Sequence, residues 1–242
     1  LLKRPEQFAL ALTEKLFMYA LGRELEYFDL PQVRAVVRAA AADDYHFAAL
    51  VAGIVLSPAF QLQALVNDLL TLSRLEGSPL PGNDDWVTLA SLTAQCEEEA
   101  RGLAEALGKS QTLRVATPPP LAVACMGGEL LSAMSNLVSN AVRYTPSSGS
   151  VDASWSVLED GRLEFRVRDT GPGIAAEHLP RLTERFYRVD RSRSRETGGT
   201  GLGLAITKHV AQRHGGALRI ESQLGAGSTF KLVLPASRRH QP

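Results

Sequence analysis

Three polar or glycine-rich motifs follow one another in the second half of this 242-residue sequence, and their order limits the possible folds more than any other feature. The first, Asn136 to Pro146, lies on a segment whose apolar residues recur at helical spacing. The second, Asp169 to Ile174, follows a strand pattern, and the third, Gly198 to Leu204, leads into a helix. Each motif alone is weak evidence, because polar helix ends and glycine turns are common. Together they favour a ligand site built from one helix and two loops.

The first motif carries two asparagines on one helix face. Asn136 and Asn140 are four residues apart, and residues at this spacing are neighbours on a helix. An amide oxygen is a hard ligand suited to Mg²⁺, which keeps several waters and completes its shell with phosphate oxygens. Arg143 can meet a phosphate as a fork, and Tyr144 offers a ring to stack on a base. The alternative is a helix end closed by polar residues.

The second and third motifs supply an acceptor and two glycine loops. A buried Asp169 at a strand end can accept a hydrogen bond from the exocyclic amine of a purine, and the following glycines let backbone approach the ligand. The segment 198–204 presents free N–H groups to phosphate oxygens at the start of a helix. It lacks the lysine of a Walker loop and the preceding strand of a dinucleotide fingerprint. An ordinary turn is the alternative explanation of each loop taken alone.

With the segment Glu184 to Asp190, these motifs resemble the ATP-binding domain of sensor histidine kinases, in the Bergerat-fold group that also holds gyrase and MutL ATPases. The matching elements are the N box (136–146), the first G box (169–174), the F box (184–190) and the second G box (199–204). The run from His178 to Ile206 resembles the phosphate-regulon branch of these kinases. The resemblance covers roughly residues 61–237.

The resemblance implies an α+β fold, a two-layer α/β sandwich with a mixed sheet against three helices, preceded here by an all-helical N-terminal region. It also implies ATP and Mg²⁺ as cofactors, with Asn140 holding the metal and Asp169 binding the adenine amine. The residues expected at the ATP site are Asn136, Asn140, Arg143, Tyr144, Asp169, Gly171, Gly173, Ile174, Phe186, Arg188, Thr200, Gly201, Leu202, Gly203, Leu204 and Ser228.

Between the F box and the second G box the family has a mobile lid, and here that region is rich in arginine. The cluster consists of Arg185, Arg188, Arg191, Arg193 and Arg195. A solvated charged loop is the usual explanation of such a run. Beside a triphosphate, we expect one or two of these side chains to contact phosphate.

The chain divides into unequal parts. We expect a small helical domain of unknown function over 1–60, a helix resembling the second helix of a kinase dimerisation hairpin over 61–77, a linker over 78–85, the ATP-binding domain over 86–238 and a tail over 239–242. Residues 4–60 resemble a helical C-terminal domain of uncharacterised function from planctomycete-type proteins. The junction near Phe60 fits either a natural fusion or an artificial one. In the first helix, Phe8, Leu12, Leu16 and Ala20 recur every fourth position, which predicts a helix over 5–21.

Apolar periodicity and turn residues predict the individual elements. Helices are expected over 5–21, from 31, over 43–57, 60–75, 90–107, 128–143 and 202–214. Strands are expected over 86–88, 112–116, 121–125, 151–157, 163–167, 218–222 and 229–234.

None of the five histidines opens the His-Glu-x-x-[Thr/Asn]-Pro box that holds the phosphoacceptor of this family. His46, for example, is followed by Phe-Ala-Ala-Leu. Two functions stay open: a kinase region that phosphorylates a histidine in trans, and a non-phosphorylating ATP·Mg²⁺-binding module fused to a helical interaction domain. An ATP-hydrolysing clamp related to MutL is disfavoured by the F box.

Composition limits which binding partners and which cellular location we expect. The formal net charge is zero, so global electrostatics gives no argument for nucleic acid or an anionic membrane as a partner, and we expect no nucleic-acid partner. No apolar run approaches the roughly 20 residues of a membrane span, and the chain begins at Leu1, as a fragment or processed product would. We expect a cytoplasmic location, since the family is usually anchored to the inner membrane through upstream segments. Expected partners are a response regulator, a histidine-bearing hairpin in trans and a second copy in a homodimer.

Overall fold

The computed structural model describes residues 5–82, 85–189 and 199–240, and the chain divides into two compact units. The first unit contains residues up to 69 together with 106–108 and 199–200 of the described chain. The second unit contains the described residues of 70–105, 109–189 and 201–240. The division falls inside one helix rather than at the expected linker 78–85.

The first unit is helical, as the sequence predicts. Its helices are α1 (Pro5–Leu21), α2 (Leu30–Ala40), α3 (Phe47–Val55) and the first part of α4 (Pro58–Gly77). The buried face of α2 is valine-rich. Pro31 lies at the start of this helix, where a backbone N–H has no partner within the helix, so the missing N–H of proline breaks no helical hydrogen bond. The buried core of this unit consists of Phe17, Leu21, Val33, Val36, Ala40, Leu50 and Ile54.

The buried row of α1 lies next to the apolar row whose period predicted the helix. Ala9, Thr13, Phe17 and Leu21 are buried, whereas Phe8 is 52% exposed. The four-residue period was right, but a polar residue belongs to the buried row. Thr13 can be buried because its hydroxyl donates to the carbonyl of Ala9 at 2.7 Å, which satisfies it inside the helix.

Helix α3 begins later than predicted. A 3-10 turn spans Ala41–Asp43, and Asp44 and Tyr45 then adopt positive φ angles of 47° and 57°. Two successive left-handed residues cannot belong to a right-handed helix, so α3 starts only at Phe47. Phe47 is 60% exposed, and the buried residues of α3 are Leu50 and Ile54.

The second unit contains the predicted mixed sheet. Its strands are β2 (Thr112–Val115), β4 (Ser150–Val157), β5 (Leu163–Asp169), β6 (Ala217–Gln223) and β7 (Gly227–Leu234), in the order β2-β4-β5-β7-β6. Strand β2 runs parallel to β4, and the other neighbours are antiparallel. Alternate residues of β4 are buried, so one face of this strand packs on the core.

The helices of this unit are α5 (Leu89–Ala106), α6 (Gly127–Tyr144) and α7 (Gly203–Arg213), with a 3-10 helix at Ala176–Arg181. Helix α6 buries a broad stripe that includes Leu130, Met134, Leu137 and Val138. Helix α7 packs beside it, since Thr207 donates to the carbonyl of Ala133 at 3.5 Å. The α+β class expected from the sequence is confirmed, and its central helix carries the N box.

A second, three-stranded sheet closes the end of this unit. It consists of β1 (Trp86–Thr88), β3 (Ala122–Ala124) and β8 (Arg239–His240), all antiparallel. Two residues of the expected tail 239–242 therefore form a strand. His240 packs its ring against Trp86 at 5.0 Å, a long-range contact that a two-residue strand pattern cannot reveal.

Two buried arginines hold the chain between α4 and β1. Arg213 on α7 donates to the carbonyls of Leu75, Ser78 and Pro79 at 2.6, 3.0 and 2.7 Å. The same guanidinium forms two bonds of 3.1 Å with Glu129 at the start of α6.

Arg238, in a 3-10 turn at Ala236–Arg238, completes the attachment. It donates to the carbonyls of Pro81 and Gly82 at 3.0 and 3.1 Å, and to those of Ala124 and His214 at 2.8 and 2.7 Å. Much of the expected linker is thereby bonded to the body of the second unit.

Within the described residues, no single helix combines the length and apolar character needed to cross a membrane. The pair α3 and α4 meets that test only when taken together, across a 53° bend.

Candidate nucleotide-binding site

The N-box asparagines lie on a half-buried face of α6. Leu137, Val138 and Ala141 are buried beside them, which fixes the rotation of the helix. Asn136 and Asn140 are both partly exposed and lie about one turn apart. This places two amide groups in a row along one side of the helix, as the sequence predicted from their spacing.

The N box meets the second G box at the start of α7. A Cβ atom placed on Gly203 would lie 3.2 Å from the Oδ1 atom of Asn136. Leu202, the residue before α7, is completely buried and accepts the first helical bond from Ile206 at 2.9 Å. A glycine at position 203 therefore brings the N-terminal backbone of α7 against the asparagine side chain.

The F box meets the same loop. The N–H of Phe186 donates to the carbonyl of Gly201 at 3.0 Å. Phe186 has a φ angle of 65° and Gly201 one of 76°, so both residues adopt the left-handed conformation. A Cβ on Gly201 would lie 3.0 Å from the Cα of Phe186 and 3.3 Å from the Cγ of Arg188. A strained phenylalanine at such a contact is typical of a functional turn.

Asp169 is the last residue of β5 and is only 5% exposed. One carboxylate oxygen accepts a hydrogen bond of 2.8 Å from the N–H of Gly171. Burial raises the pKa of Asp169, while the N–H groups of Gly171 and Ser228 partly offset this rise. The site thus holds a buried acceptor at a strand end, which is the geometry expected for binding an amine.

The first G box links this aspartate to both neighbours. A Cβ on Gly171 would lie 2.8 Å from Oδ1 of Asp169 and 3.3 Å from the carbonyl oxygen of Tyr144, at the end of the N box. Gly173 has a φ angle of 68°, and a Cβ there would lie 2.0 Å from the carbonyl oxygen of Gln223. Close backbone approach therefore requires a glycine at position 173, whereas at position 171 a Cβ would crowd the carboxylate of Asp169.

Ser228 lies beside Asp169 through the strand register. The two residues are partners in the β5–β7 pairing, and Ser228 is 7% exposed. Its hydroxyl is 2.9 Å from that of Ser222, which in turn accepts the N–H of Ile174 at 2.8 Å. The structure thus brings Ser228, Ile174 and Asp169 close together.

The other predicted residues differ in how deeply they are buried and in the groups that they contact. Tyr144 is 50% exposed at the end of α6, so its ring is accessible. Burial lowers the pKa of Arg143. Leu204 is partly buried on α7. Thr200 belongs to the first unit, where its hydroxyl donates to Asp68 at 2.5 Å.

The arginine cluster is only partly within the described chain. Arg185 forms an ion pair with Glu76, at the end of α4. Arg188 lies against the second G box through its contact with Gly201. Arg191, Arg193 and Arg195 lie outside the described residues.

The donor set fits a magnesium ion bound together with a nucleotide. The amide oxygens of Asn136 and Asn140 are neutral hard ligands, and Mg²⁺ takes few protein ligands when phosphates and water supply the rest. In the described parts of the chain, no cluster of three or more His, Cys, Asp or Glu side chains could hold a metal by itself.

Two residues at this site were missed in the sequence. Gly227 has a φ angle of 98°, and a Cβ there would lie 2.0 Å from the carbonyl oxygen of Asp169. Lys109 donates to carbonyls at the end of the N box. The Gly-Ala-Gly-Ser string was a signal for the first, but no local pattern marks the second.

A concavity of about 560 Å³ lies on the outer face of the sheet of the second unit. Arg166, Arg168 and Lys231 line it, on the strand faces opposite those that pack on the core. It is polar and open, and we assign the nucleotide site by the motif contacts rather than by cavity size.

Comparison with protein families agrees with this geometry. Residues 128–238 match the family model described as histidine kinase-, DNA gyrase B-, and HSP90-like ATPase. Residues 1–60 match a different model, described as protein of unknown function (DUF1585).

Similar curated proteins are sensor kinases. The phosphate regulon sensor protein PhoR of Pseudomonas aeruginosa is 46% identical over 170 residues, which are 70% of this chain and 38% of PhoR. The sensor-like histidine kinase SenX3 of Mycolicibacterium smegmatis is 38% identical over 198 residues, which are 81% of this chain and 50% of SenX3. The chain thus spans half or less of the length of these relatives.

Solved structures lead to the same group. The mycobacterial sensor histidine kinase MprB matches with a TM-score of 0.54 and 29% identity, covering 62% of this chain and 96% of that one. Full-length ShkA in complex with AMPPNP matches with a TM-score of 0.60 and 28% identity, covering 96% of this chain and 44% of ShkA. Residues 128–238 therefore form a domain of the histidine kinase-, DNA gyrase B- and HSP90-like ATPase family, and this chain carries the ATPase domain of a sensor histidine kinase.

Proposed function

We propose that this chain is the ATP-binding catalytic region of a two-component sensor kinase and donates the γ-phosphate of ATP to a histidine. The observation that carries the proposal is the buried Asp169 at the end of β5, whose carboxylate is oriented by the N–H of Gly171. A buried carboxylate that accepts hydrogen bonds discriminates strongly for a ligand that presents an amine. Adenine presents one.

In this proposal each contact described above has a role. Asp169 accepts the adenine amine, and Gly171, Gly173, Ile174 and Ser228 form the pocket around it. The exposed ring of Tyr144 stacks on the base.

The phosphate end is formed by the N box and the second G box. Asn140 holds Mg²⁺, with Asn136 nearby and against Gly203. The N–H groups at the start of α7 meet the phosphates, along with Thr200, Gly201, Leu202 and Leu204.

Phosphoryl transfer needs charge neutralisation and in-line positioning rather than covalent help from the protein. When bound, Mg²⁺ would supply part of that neutralisation. Arg143 and Arg188 supply positive charge from the N box and the F box, and Phe186 covers the loop through its bond to Gly201. The chain's own residues thus bind and orient the donor.

The acceptor is proposed to be a histidine supplied in trans. None of the five histidines opens the family's acceptor box. His214 is buried, and His178 bonds to the hydroxyl of Tyr187 at 2.7 Å. His46 is exposed beside Asp43, but the residues that follow it do not match the acceptor box.

Helix α4 is the proposed docking element for that acceptor hairpin or for a second copy of the chain. Its apolar residues Leu62, Val66 and Leu69 are 62%, 40% and 41% exposed. Their spacing of four and three residues is that of a helix-pairing seam.

The finer assignments rest on the names of the relatives. The similarity to PhoR supports a place in a phosphate-responsive two-component pathway, with a response regulator as the receiver of the phosphoryl group. Such a region would act in the cytoplasm.

Phosphate transfer from γ-labelled ATP tests the proposal. The chain is incubated with Mg²⁺ and labelled ATP, alone and with a histidine-bearing hairpin from a phosphate sensor. We expect acid-labile label on the hairpin only. Label on the lone chain would overturn the assignment of the acceptor to another chain.

Asp169→Asn tests the adenine contact. An amide presents a donor where the adenine amine needs an acceptor, so ATP affinity should fall at least about tenfold. Asp152→Asn, on the outer sheet face, is the matched control. Equal ATP affinity in both variants would contradict the site assignment, as calorimetric titration would show.

The second candidate function is an ATP·Mg²⁺-binding module without transferase activity, favoured by the lack of an acceptor box in this sequence. It predicts normal binding of ATP with no label on any hairpin. The same two measurements therefore separate the two functions.

A further inference from the structure

The C-terminal end of α6 is capped by a side chain that the motifs do not include. A helix leaves its last carbonyls without partners inside the helix. Here the ammonium of Lys109 donates to the carbonyls of Val142, Arg143 and Thr145 at 2.8, 2.5 and 2.8 Å. An ammonium has three donors, so all of them are used at this helix end.

A second side chain supports the same carbonyls. Gln111 is 8% exposed. In the amide orientation that satisfies both of its ends, its nitrogen donates to Val142 and Thr145 at 3.3 and 3.1 Å. Lys109 and Gln111 together form a cap that we call the α6 cap.

The α6 cap is attached to the rigid part of the second unit. The backbone N–H of Lys109 donates to Ala104 in α5 at 2.9 Å. Strand β2 begins at Thr112, whose N–H donates to the carbonyl of Gly149 at 3.0 Å. The cap therefore connects the end of α6 to a helix on one side and to the sheet on the other.

The electrostatics favour a cation at this place. The carbonyl end of a helix carries partial negative charge. Burial and the neighbouring Arg143 lower the pKa of Lys109, but three carbonyl acceptors favour its charged form.

The capped carbonyls enclose two residues of the nucleotide site. Arg143 and Tyr144 lie between Val142 and Thr145, so the cap fixes the backbone from which both side chains leave. The carbonyl of Tyr144 is also the atom that Gly171 approaches, with a Cβ at that position only 3.3 Å away. The end of α6 is thus held by the cap on one side and by the first G box on the other.

We propose that Lys109, assisted by Gln111, is a positioning residue for nucleotide binding: it fixes the end of the N-box helix so that Arg143 and Tyr144 face the ligand and the backbone of Tyr144 packs on the first G box. This inference rests on the proposed ATP site. A residue more than thirty positions before its partners thereby contributes to affinity without touching the ligand.

Lys109→Met tests the inference, because it keeps the length of the side chain and removes the three donors. We expect the Kd for ATP with Mg²⁺ to rise on the order of tenfold, as for other residues that position binding groups. Lys109→Arg should recover part of this loss, because a guanidinium also donates to several carbonyls. Lys231→Met, which removes an ammonium from the outer sheet face, is the control and should bind ATP as the wild type does.

Hydrogen exchange of the nucleotide-free protein provides a readout that a general loss of stability would not reproduce. In Lys109→Met we expect faster exchange confined to residues 141–146, with the protection of β5 and α7 unchanged. Titration of ATP is carried out at a temperature where every variant is folded by circular dichroism. A uniform rise in exchange over the whole second unit would assign Lys109 a structural role only and overturn the inference.

The outcomes also separate this inference from the proposed function. Absence of ATP binding in the wild type overturns the ATP site and, with it, the positioning role. Wild-type binding together with an unchanged Kd in Lys109→Met overturns the positioning role alone. Gln111→Leu, measured alone and combined with Lys109→Met, should show less than additive losses, since both side chains cap the same carbonyls.

Discussion

Gly227 shows how a single residue without a side chain fixes the aspartate of the candidate site. Its φ angle is 98°, and its Cα lies so close to the carbonyl of Asp169 that a Cβ would be 2.0 Å from that oxygen. The strand pair β5–β7 ends at this contact. The position of Asp169 thus depends on a glycine in another strand.

Gly227→Ala should therefore destabilise the second unit by at least about 2 kcal/mol, since it combines an unfavourable φ with a clash against backbone. Urea unfolding measures the change in free energy. Gly225→Ala is the matched control, because Gly225 also has a positive φ, of 80°, but open space around its Cβ position. The contact with Asp169 has no energetic role if the two variants lose equal stability.

His214 makes the stability of the second unit depend on pH. It is completely buried, its Nδ1 is 2.8 Å from the carbonyl of Val210, and its Nε2 accepts the N–H of Met126 at 3.3 Å. The second bond requires a neutral ring. Burial is the main reason why the pKa of His214 is lowered, and the nearby Arg238 and Arg213 lower it further.

The sign of the effect follows from proton linkage. Below the ordinary histidine pKa, the unfolded state binds a proton at this residue that the folded state excludes. The free energy of unfolding should therefore have its full value above about pH 6.5. Below that pH it should fall on acidification by up to about 1.4 kcal/mol per pH unit. Urea unfolding at several pH values between 5 and 8 measures it. His214→Gln should remove this slope, while His209→Gln should keep it; the idea fails if the two variants behave alike.

At the scale of single residues, the sequence pointed to those residues whose contact partners are close to them in the chain. The order of the motifs pointed to Asp169 and its two following glycines, and in the structure Gly171 contacts Asp169 while Gly173 packs against the backbone of Gln223. Lys109 was beyond reach because its partners lie at positions 142–145 and nothing near it in the sequence marks the contact. The apolar period that starts at Phe8 predicted helix α1, but the buried row is the neighbouring one, where Thr13 satisfies its hydroxyl within the helix.

Among the elements, the segment between α4 and β1 differs most from its sequence. Glycine, proline and serine predicted a linker over 78–85, yet the carbonyls of Ser78, Pro79, Pro81 and Gly82 are bonded to two buried arginines. Composition reveals turn conformations but not long-range partners, and here the partners lie more than 130 residues away.

Arg213→Met should detach this segment. The change leaves Glu129, which is only 13% exposed, without its cation, and leaves three carbonyls without donors. Removing one member of a buried ion pair typically costs about 3–5 kcal/mol. Thermal unfolding measures the loss, and limited proteolysis should show new cleavage between residues 77 and 82.

Arg74→Met is the control for this experiment, because Arg74 is an exposed arginine of α4. It should leave both the stability and the cleavage pattern unchanged. Equal protection of residues 77–82 in wild type and Arg213→Met would show that the arginine does not hold the segment.

Over the whole molecule, the sequence predicted the second unit more fully than the first. The motifs of the second unit carry a resemblance to a known family, and that resemblance implied the mixed sheet with its helices, while the candidate site stays a prediction. The first unit has an apolar pattern that predicts helices and a core, whereas most of the motif residues that indicate chemistry lie in the second unit. Short β8, formed from the expected tail, was hidden because two residues have no readable period.

This division predicts where ATP will act. Of the candidate residues in the described chain, all but Thr200 belong to the second unit. A ligand stabilises what it binds by about 2.7 kcal/mol at a hundred times its Kd. Hydrogen exchange with ATP and Mg²⁺ should therefore slow in residues 136–146, 169–174 and 201–206, while the core of α1–α3 around Phe17, Val33 and Leu50 exchanges as before. The Asp169→Asn variant under the same conditions should show weaker slowing in the motif segments and none in α1–α3, because its affinity for ATP is expected to be lower. Equal slowing in α1–α3 and in the motif segments would mean that the chain responds to ATP as one cooperative body, because local protection requires that the two units open separately.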